Sequence, residues 1–163
     1  SFIGAAKPDL AIPLYEQWDL LKNNHKAVLV GLTAGVVTSL VTVLVLSLLL
    51  GLSHEEYVTM LPKSITTAIG MGVSEELGGY VTITVAVIIV TGVLGNMFGE
   101  LICKVFKIEE PISKGLAFGS AAHAIGTAKA MEIGEIEGAM SSLAIAVSGI
   151  LTVILSSVFA HFL

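Results

Sequence analysis

The sequence predicts an all-α integral membrane protein, with three full transmembrane helices and two short interrupted or re-entrant helical segments in one membrane domain spanning residues 1–163. Three observations predict it. Of the 163 residues, 55% are hydrophobic and 13% charged, against about 25% charged in a soluble domain, and mean hydropathy is +0.93. The apolar residues gather into three uncharged runs at 27–52, 77–99 and 138–160, of 26, 23 and 23 residues. Two further stretches, 64–74 and 115–128, are nearly as free of charge but only 11 and 14 residues long.

Taken in order, the start of the chain carries Lys7, Pro8, Asp9, Glu16 and Asp19. These break up any apolar stretch there, so no signal peptide is expected. A chain that opens on Ser1 reads as the tail of a longer protein. The first run follows Lys22 and Lys26, and the second is followed by Lys104 and Lys107. All three runs exceed the roughly 20 residues that cross a bilayer at about 1.5 Å each. The excess of lysine then places both of those flanks on the cytoplasmic side and residues 51–56 outside. The third run starts inside and ends outside at His161, provided the stretch between Pro111 and Glu137 enters the membrane and returns, or never crosses.

The two short stretches are the candidate site. Segment 64–74 (SITTAIGMGVS) follows Pro62 and Lys63 and precedes Glu75 and Glu76; segment 115–128 (GLAFGSAAHAIGTA) follows Pro111 and Lys114 and precedes Lys129 and Glu132. Apolar stretches of 10–14 residues are typical of re-entrant or half-membrane helices. Irregular backbone at membrane depth persists only where protein or a water-filled cavity satisfies its polar groups. Paired interrupted segments mark the midplane sites of secondary transporters, where half-helix N-termini present N–H groups to anions. Ser64, Thr66, Thr67, Ser120, His123, Gly126 and Thr127 are the candidate substrate contacts, and a small organic anion is the expected ligand.

His123 is the one ionisable residue inside a candidate membrane segment and is the candidate for proton coupling. The structural alternative is a neutral imidazole bonded to a backbone carbonyl at a helix break. Gly95 and Gly99 read as helix-packing positions, Lys63 and Lys129 as lysines that snorkel to the headgroups, and Glu75 and Glu76 as solvated. Cys103, the single cysteine, reads as filler. No metal-ligand spacing, nucleophile–base pair or phosphate loop is present, so neither a metal, a cofactor nor an enzymatic activity is expected. With 8 Lys+Arg against 13 Asp+Glu, the chain lacks a polybasic footprint for nucleic acid. All eight cations are lysines, so no bidentate guanidinium clamp on a carboxylate exists.

The runs LPKSITTAIGMGVSEELGG (61–79) and PISKGLAFGSAAHAIGTAKAMEIGEIEGAMSSL (111–143) resemble the signature stretches of the LrgB/CidB family of antiholin-like membrane proteins, a family related to the plastidal glycolate/glycerate translocator. The resemblance extends from about Phe2 to the C-terminus and covers the C-terminal portion of the family, without its leading helices. It implies an inverted-repeat, transporter-like helical fold in the bacterial plasma membrane. The chain departs from the family at Lys7, Pro8 and Asp9, where small apolar and hydroxyl residues are usual, and at Ala68 and Gly70, where Pro and Ala are usual. Two functions follow as expectations. The first is secondary transport of a small monocarboxylate such as glycolate, glycerate, pyruvate or lactate, coupled to H⁺. The alternative is regulation of murein hydrolase activity and lysis with a holin-like membrane partner of the LrgA/CidA type, docked on the Gly95/Gly99 face. Besides the lipid bilayer, a second copy of the chain is expected as a partner, because three spans alone hardly enclose a dry site.

Overall fold

The computed structural model describes residues 18–163. The departure at Lys7, Pro8 and Asp9 lies outside the described residues. Six α-helices follow in order: α1 (Trp18–Leu50), α2 (His54–Met60), α3 (Thr67–Glu76), α4 (Val81–Val105), α5 (Pro111–Ile133) and α6 (Glu135–Phe159), closed by a 3₁₀ turn at Ala160–Phe162. No strand occurs among the described residues. Three helical stretches are long and apolar enough to cross a membrane: Lys22–Leu50, Val81–Val105 and Glu135–Phe162. These correspond to the three predicted runs with shifted ends: the first starts five residues earlier and ends two earlier, the second starts four later and ends six later, and the third gains three residues before and two after.

α1 and α6 run side by side in the same direction. Val28 and Leu32 pack with Ala144 and Val147 at one end, and Leu40 and Val43 pack with Leu151, Leu155 and Ala160 at the other. Large apolar side chains such as Val30, Leu49, Val90, Met97, Leu101, Ile150 and Ile154 point outward and stay exposed. That surface suits hydrocarbon, where an apolar exterior costs nothing.

α5 is not a straight rod. At His123 the backbone takes φ 43°, ψ −138°, and the chain doubles back. A Cβ on Gly126 would meet the Phe118 carbonyl oxygen at 2.7 Å, whereas eight residues of straight helix would separate them by about 12 Å. Neighbours on α6 give the direction of each limb. Residues 111–122 rise with α6, since Gly115 faces Glu137 and Met140, and Gly119 faces Ser141 and Ala144. Residues 124–133 run back down it: Thr127 bonds Ser141, and Gly138 faces Met131. The segment enters and returns, one of the two arrangements the sequence allowed, and the α6 span starts on the side where α4 ends. Its limbs reach Pro111 and Ile133, beyond the predicted 115–128, because polar termini carrying Lys114, Lys129 and Glu132 remain helical.

The earlier short segment forms a second inward loop from the opposite side. α2 opens with a capping box, the Ser53 hydroxyl accepting from the Glu56 N–H while the Glu56 carboxylate accepts from the Ser53 N–H, an arrangement that satisfies two orphan donors at once. Residues 61–66 then leave the helix, and α3 returns antiparallel to α4, with Ser74 beside Thr84 and Gly70 beside Ile88. Thr59 ties the two ends of this loop, accepting from the Tyr80 N–H at 2.7 Å and, through its carbonyl, from the Thr84 hydroxyl at 3.0 Å.

Candidate functional site

The two inward loops meet at Ile88, two turns into α4 and central to the uncharged run 77–99. Gly70 of α3 lies against the Ile88 side chain, and the His123 ring reaches the Ile88 carbonyl from the other direction at 2.9 Å. A carbonyl only accepts, so the proton lies on Nε2. Gly92 makes this approach possible: a Cβ there would sit 2.6 Å from His123 Cε1. His123 is buried, so at this position the imidazole bonds a backbone carbonyl at a helix break. That is the structural arrangement foreseen for it beside the coupling role.

Around the tip, the freed backbone groups find partners, as membrane-depth irregularity demands. The Thr127 hydroxyl lies 3.0 Å from the His123 carbonyl and 2.7 Å from Ser141 Oγ. Asn96 donates from Nδ2 to the Ile125 carbonyl at 3.0 Å. Asn96 went unremarked in the sequence; a carboxamide inside an apolar run was the available signal. Gly126 lets the returning limb lie against Ala122 and Phe118.

Gly95 and Gly99 pack, but within the chain. Gly95 faces Ala122, and Gly99 faces the Phe118 ring. The chain's own hairpin packs against the face expected to receive a holin-like partner. Cys103 is buried beside Phe118 and Ala130.

Two predicted hydroxyls, one from each segment, look elsewhere. Ser64 and Ser120 line a groove of about 730 Å³ between α1, the rising limb of α5 and the 61–66 turn. Ser39 Oγ lies 3.4 Å from Ser64 Oγ, and Ser120 Oγ donates to the Leu116 carbonyl at 2.7 Å. Thr66 is the N-cap of α3 without a side-chain capping bond; it and Thr67 are half-buried and do not line this groove. Nor do His123, Gly126 and Thr127. The predicted residues thus divide into a polar groove holding Ser64 and Ser120 and a packed tip holding His123, Gly126 and Thr127, separated by the wall of the rising limb.

Lys63 does not reach outward as expected. It is half-buried, and its Nζ donates to Ser64 Oγ at 2.8 Å inside the groove. Lys129 is bound rather than snorkelling freely: its ammonium lies 2.9 Å from Glu100 and 3.2 Å from Glu132. Glu75 and Glu76 are exposed.

Helices long and apolar enough to cross a bilayer, with two broken segments that converge from opposite ends of the bundle, define an α-helical membrane protein of the re-entrant class. The profile of the LrgB-like family matches residues 1–162, and the chain belongs to that family. It is 39% identical over 162 residues to "Antiholin-like protein LrgB" of Bacillus mycoides (strain KBAB4). It is 38% identical to the proteins of the same name in Bacillus cereus (strain B4264) and Bacillus anthracis (strain CDC 684 / NRRL 3495). Each alignment covers 99% of this chain and 70% of the relative. No solved structure matches.

Proposed function

We propose that the chain is an antiholin-like multi-pass protein of the bacterial plasma membrane and that it exerts this role by moving a small organic anion across the bilayer. The shared name of the Bacillus relatives supports the antiholin-like role directly. The transport reading rests on one observation: two broken segments enter from opposite sides and converge on Ile88. Such convergence suits alternating access around a midplane site. The substrate class is a monocarboxylate of the glycolate, glycerate, pyruvate or lactate kind, with H⁺ as the coupling ion and His123 as its carrier.

The two roles are compatible, since flux of small acids alters the energetics of the membrane on which wall hydrolysis depends. Uptake of labelled glycolate and pyruvate into proteoliposomes carrying the full-length protein tests transport. Saturable uptake, enhanced by an inward proton gradient and lost in His123→Ala or Thr127→Val proteins that still insert, is the expected result. Absence of uptake by folded, inserted protein leaves the partner-mediated regulatory role as the function. Co-purification with a holin-like membrane protein tests that role, and Gly95→Leu is not a clean probe of it because Gly95 faces Ala122 of its own chain.

A further inference from the structure

Among the described residues, Lys63 is a half-buried cation without an ion pair. The groove along α1 has a polar mouth at Asn24, Glu110 and Ser113 and extends past Gly31 and Gly35 to Ser39, Lys63 and Ser64. Its far end therefore lies at the turn between α2 and α3, the tip of the inward loop. Lys63 is half-buried there and spends one of its N–H bonds on Ser64 Oγ. An ammonium offers three donors. No carboxylate pairs with it among the described residues, whereas Lys104 and Lys129 both lie against Glu100.

Lys63 lines the groove rather than reaching for the headgroups, and an ammonium there, with donors to spare, suits an anion entering from water. Among the hydroxyls that line the groove are those of Ser39, Ser64 and Ser120.

We propose that Lys63 is the carboxylate-binding group of this protein, holding a small monocarboxylate in the groove with Ser39, Ser64 and Ser120 as hydrogen-bonding partners. The inference rests on the transport reading and deepens it: the anion's charge is met by Lys63 in the groove, and His123 stays behind the wall formed by the rising limb. An ammonium is a point charge without a planar fork, so the site reads charge and size, and the ligand's own hydroxyl or keto oxygen engages the serines.

The test uses full-length protein carrying Gly35→Cys, a groove position outside the proposed contacts where a Cβ meets only Ser120 Oγ at 3.9 Å, in a Cys103→Ala background, reconstituted in proteoliposomes. Modification of the introduced thiol by a membrane-impermeant reagent is timed with and without pyruvate, and uptake of labelled pyruvate is measured in parallel. Pyruvate is expected to slow modification when Lys63 is present. In Lys63→Gln and Lys63→Met the concentration needed is expected to rise about tenfold or more, in keeping with loss of a charge-assisted hydrogen bond, while Lys63→Arg keeps most of the protection. Equal protection in the neutral variants overturns the Lys63 assignment, and if uptake continues the transport reading stands. Thiol that reacts from neither side overturns the groove as an aqueous site. No protection and no uptake in the unsubstituted Lys63 protein overturns both.

Discussion

At the residue scale the controlling position is His123. Its φ of 43° with ψ of −138° lies in a region that side-chain-bearing residues rarely occupy, at a cost of about 1–3 kcal/mol. The ring offsets part of this through its bond to the Ile88 carbonyl, worth about 0.5–1.5 kcal/mol. His123→Gly removes both the strain and the bond, so thermal unfolding in detergent should show stability within about 1 kcal/mol of the parent. His123→Ala keeps the strain and loses the bond, and should be the less stable variant by about 1–2 kcal/mol. The glycine variant then separates two roles for the ring. Uptake retained with its proton-gradient dependence would mean that His123 only shapes the tip, and uptake lost from a stably inserted protein would assign the ring to coupling. The histidine stood out in the sequence because it is the single ionisable group in an apolar stretch. Its partner did not, because a backbone carbonyl 35 residues away has no signature in residue type.

At the scale of elements, small residues decide how close the hairpin limbs approach. Gly119 faces the Ser141 carbonyl and Ala144, so Gly119→Val drives a branched side chain against backbone that cannot yield. It should destabilise the α5–α6 packing by about 1–3 kcal/mol, the usual cost of overpacking, as a lowered unfolding midpoint. Asn96→Leu should cost about 0.6–2 kcal/mol by leaving the Ile125 carbonyl without its donor, while α4 remains long and apolar enough to insert. If Asn96→Leu leaves the midpoint unchanged, the carbonyl has another partner. The existence of both short segments was legible, because length, glycine content and flanking Pro and Lys distinguish them from spans. Their extents were less so. The polar ends of α5 read as loop boundaries, yet Glu110 caps the helix through the Ser113 N–H at 2.6 Å with Pro111 at its first turn, where a proline is pre-organised for helix. The division of Ser64 and Ser120 from His123 was not legible at all, since it depends on which side of the rising limb each residue faces.

For the whole molecule, the re-entrant hairpin fixes the sidedness of everything after it. Were residues 111–133 a continuous span of about 34 Å, α6 would begin on the far side and its end could not meet α2. Instead the Tyr57 hydroxyl donates to the Phe159 carbonyl at 2.8 Å, and Ala160 packs with Tyr57, Val58 and Leu40, so the end of α6 joins the end of α1. Glu109, before the hairpin, and Glu135, after it, are both exposed and should share one side of the membrane. Glu76 and His161 are exposed and should share the other. Single cysteines placed at these four positions in a Cys103→Ala background, labelled with an impermeant thiol reagent in intact and opened vesicles, read this directly. Glu109→Cys and Glu135→Cys should label together from the side that carries Lys104 and Lys107, which the lysine bias assigns to the cytoplasm. Labelling of Glu135→Cys from the side of Glu76→Cys would make α5 a full span, and with it the convergence of two opposed loops on Ile88 would fail as the basis for transport.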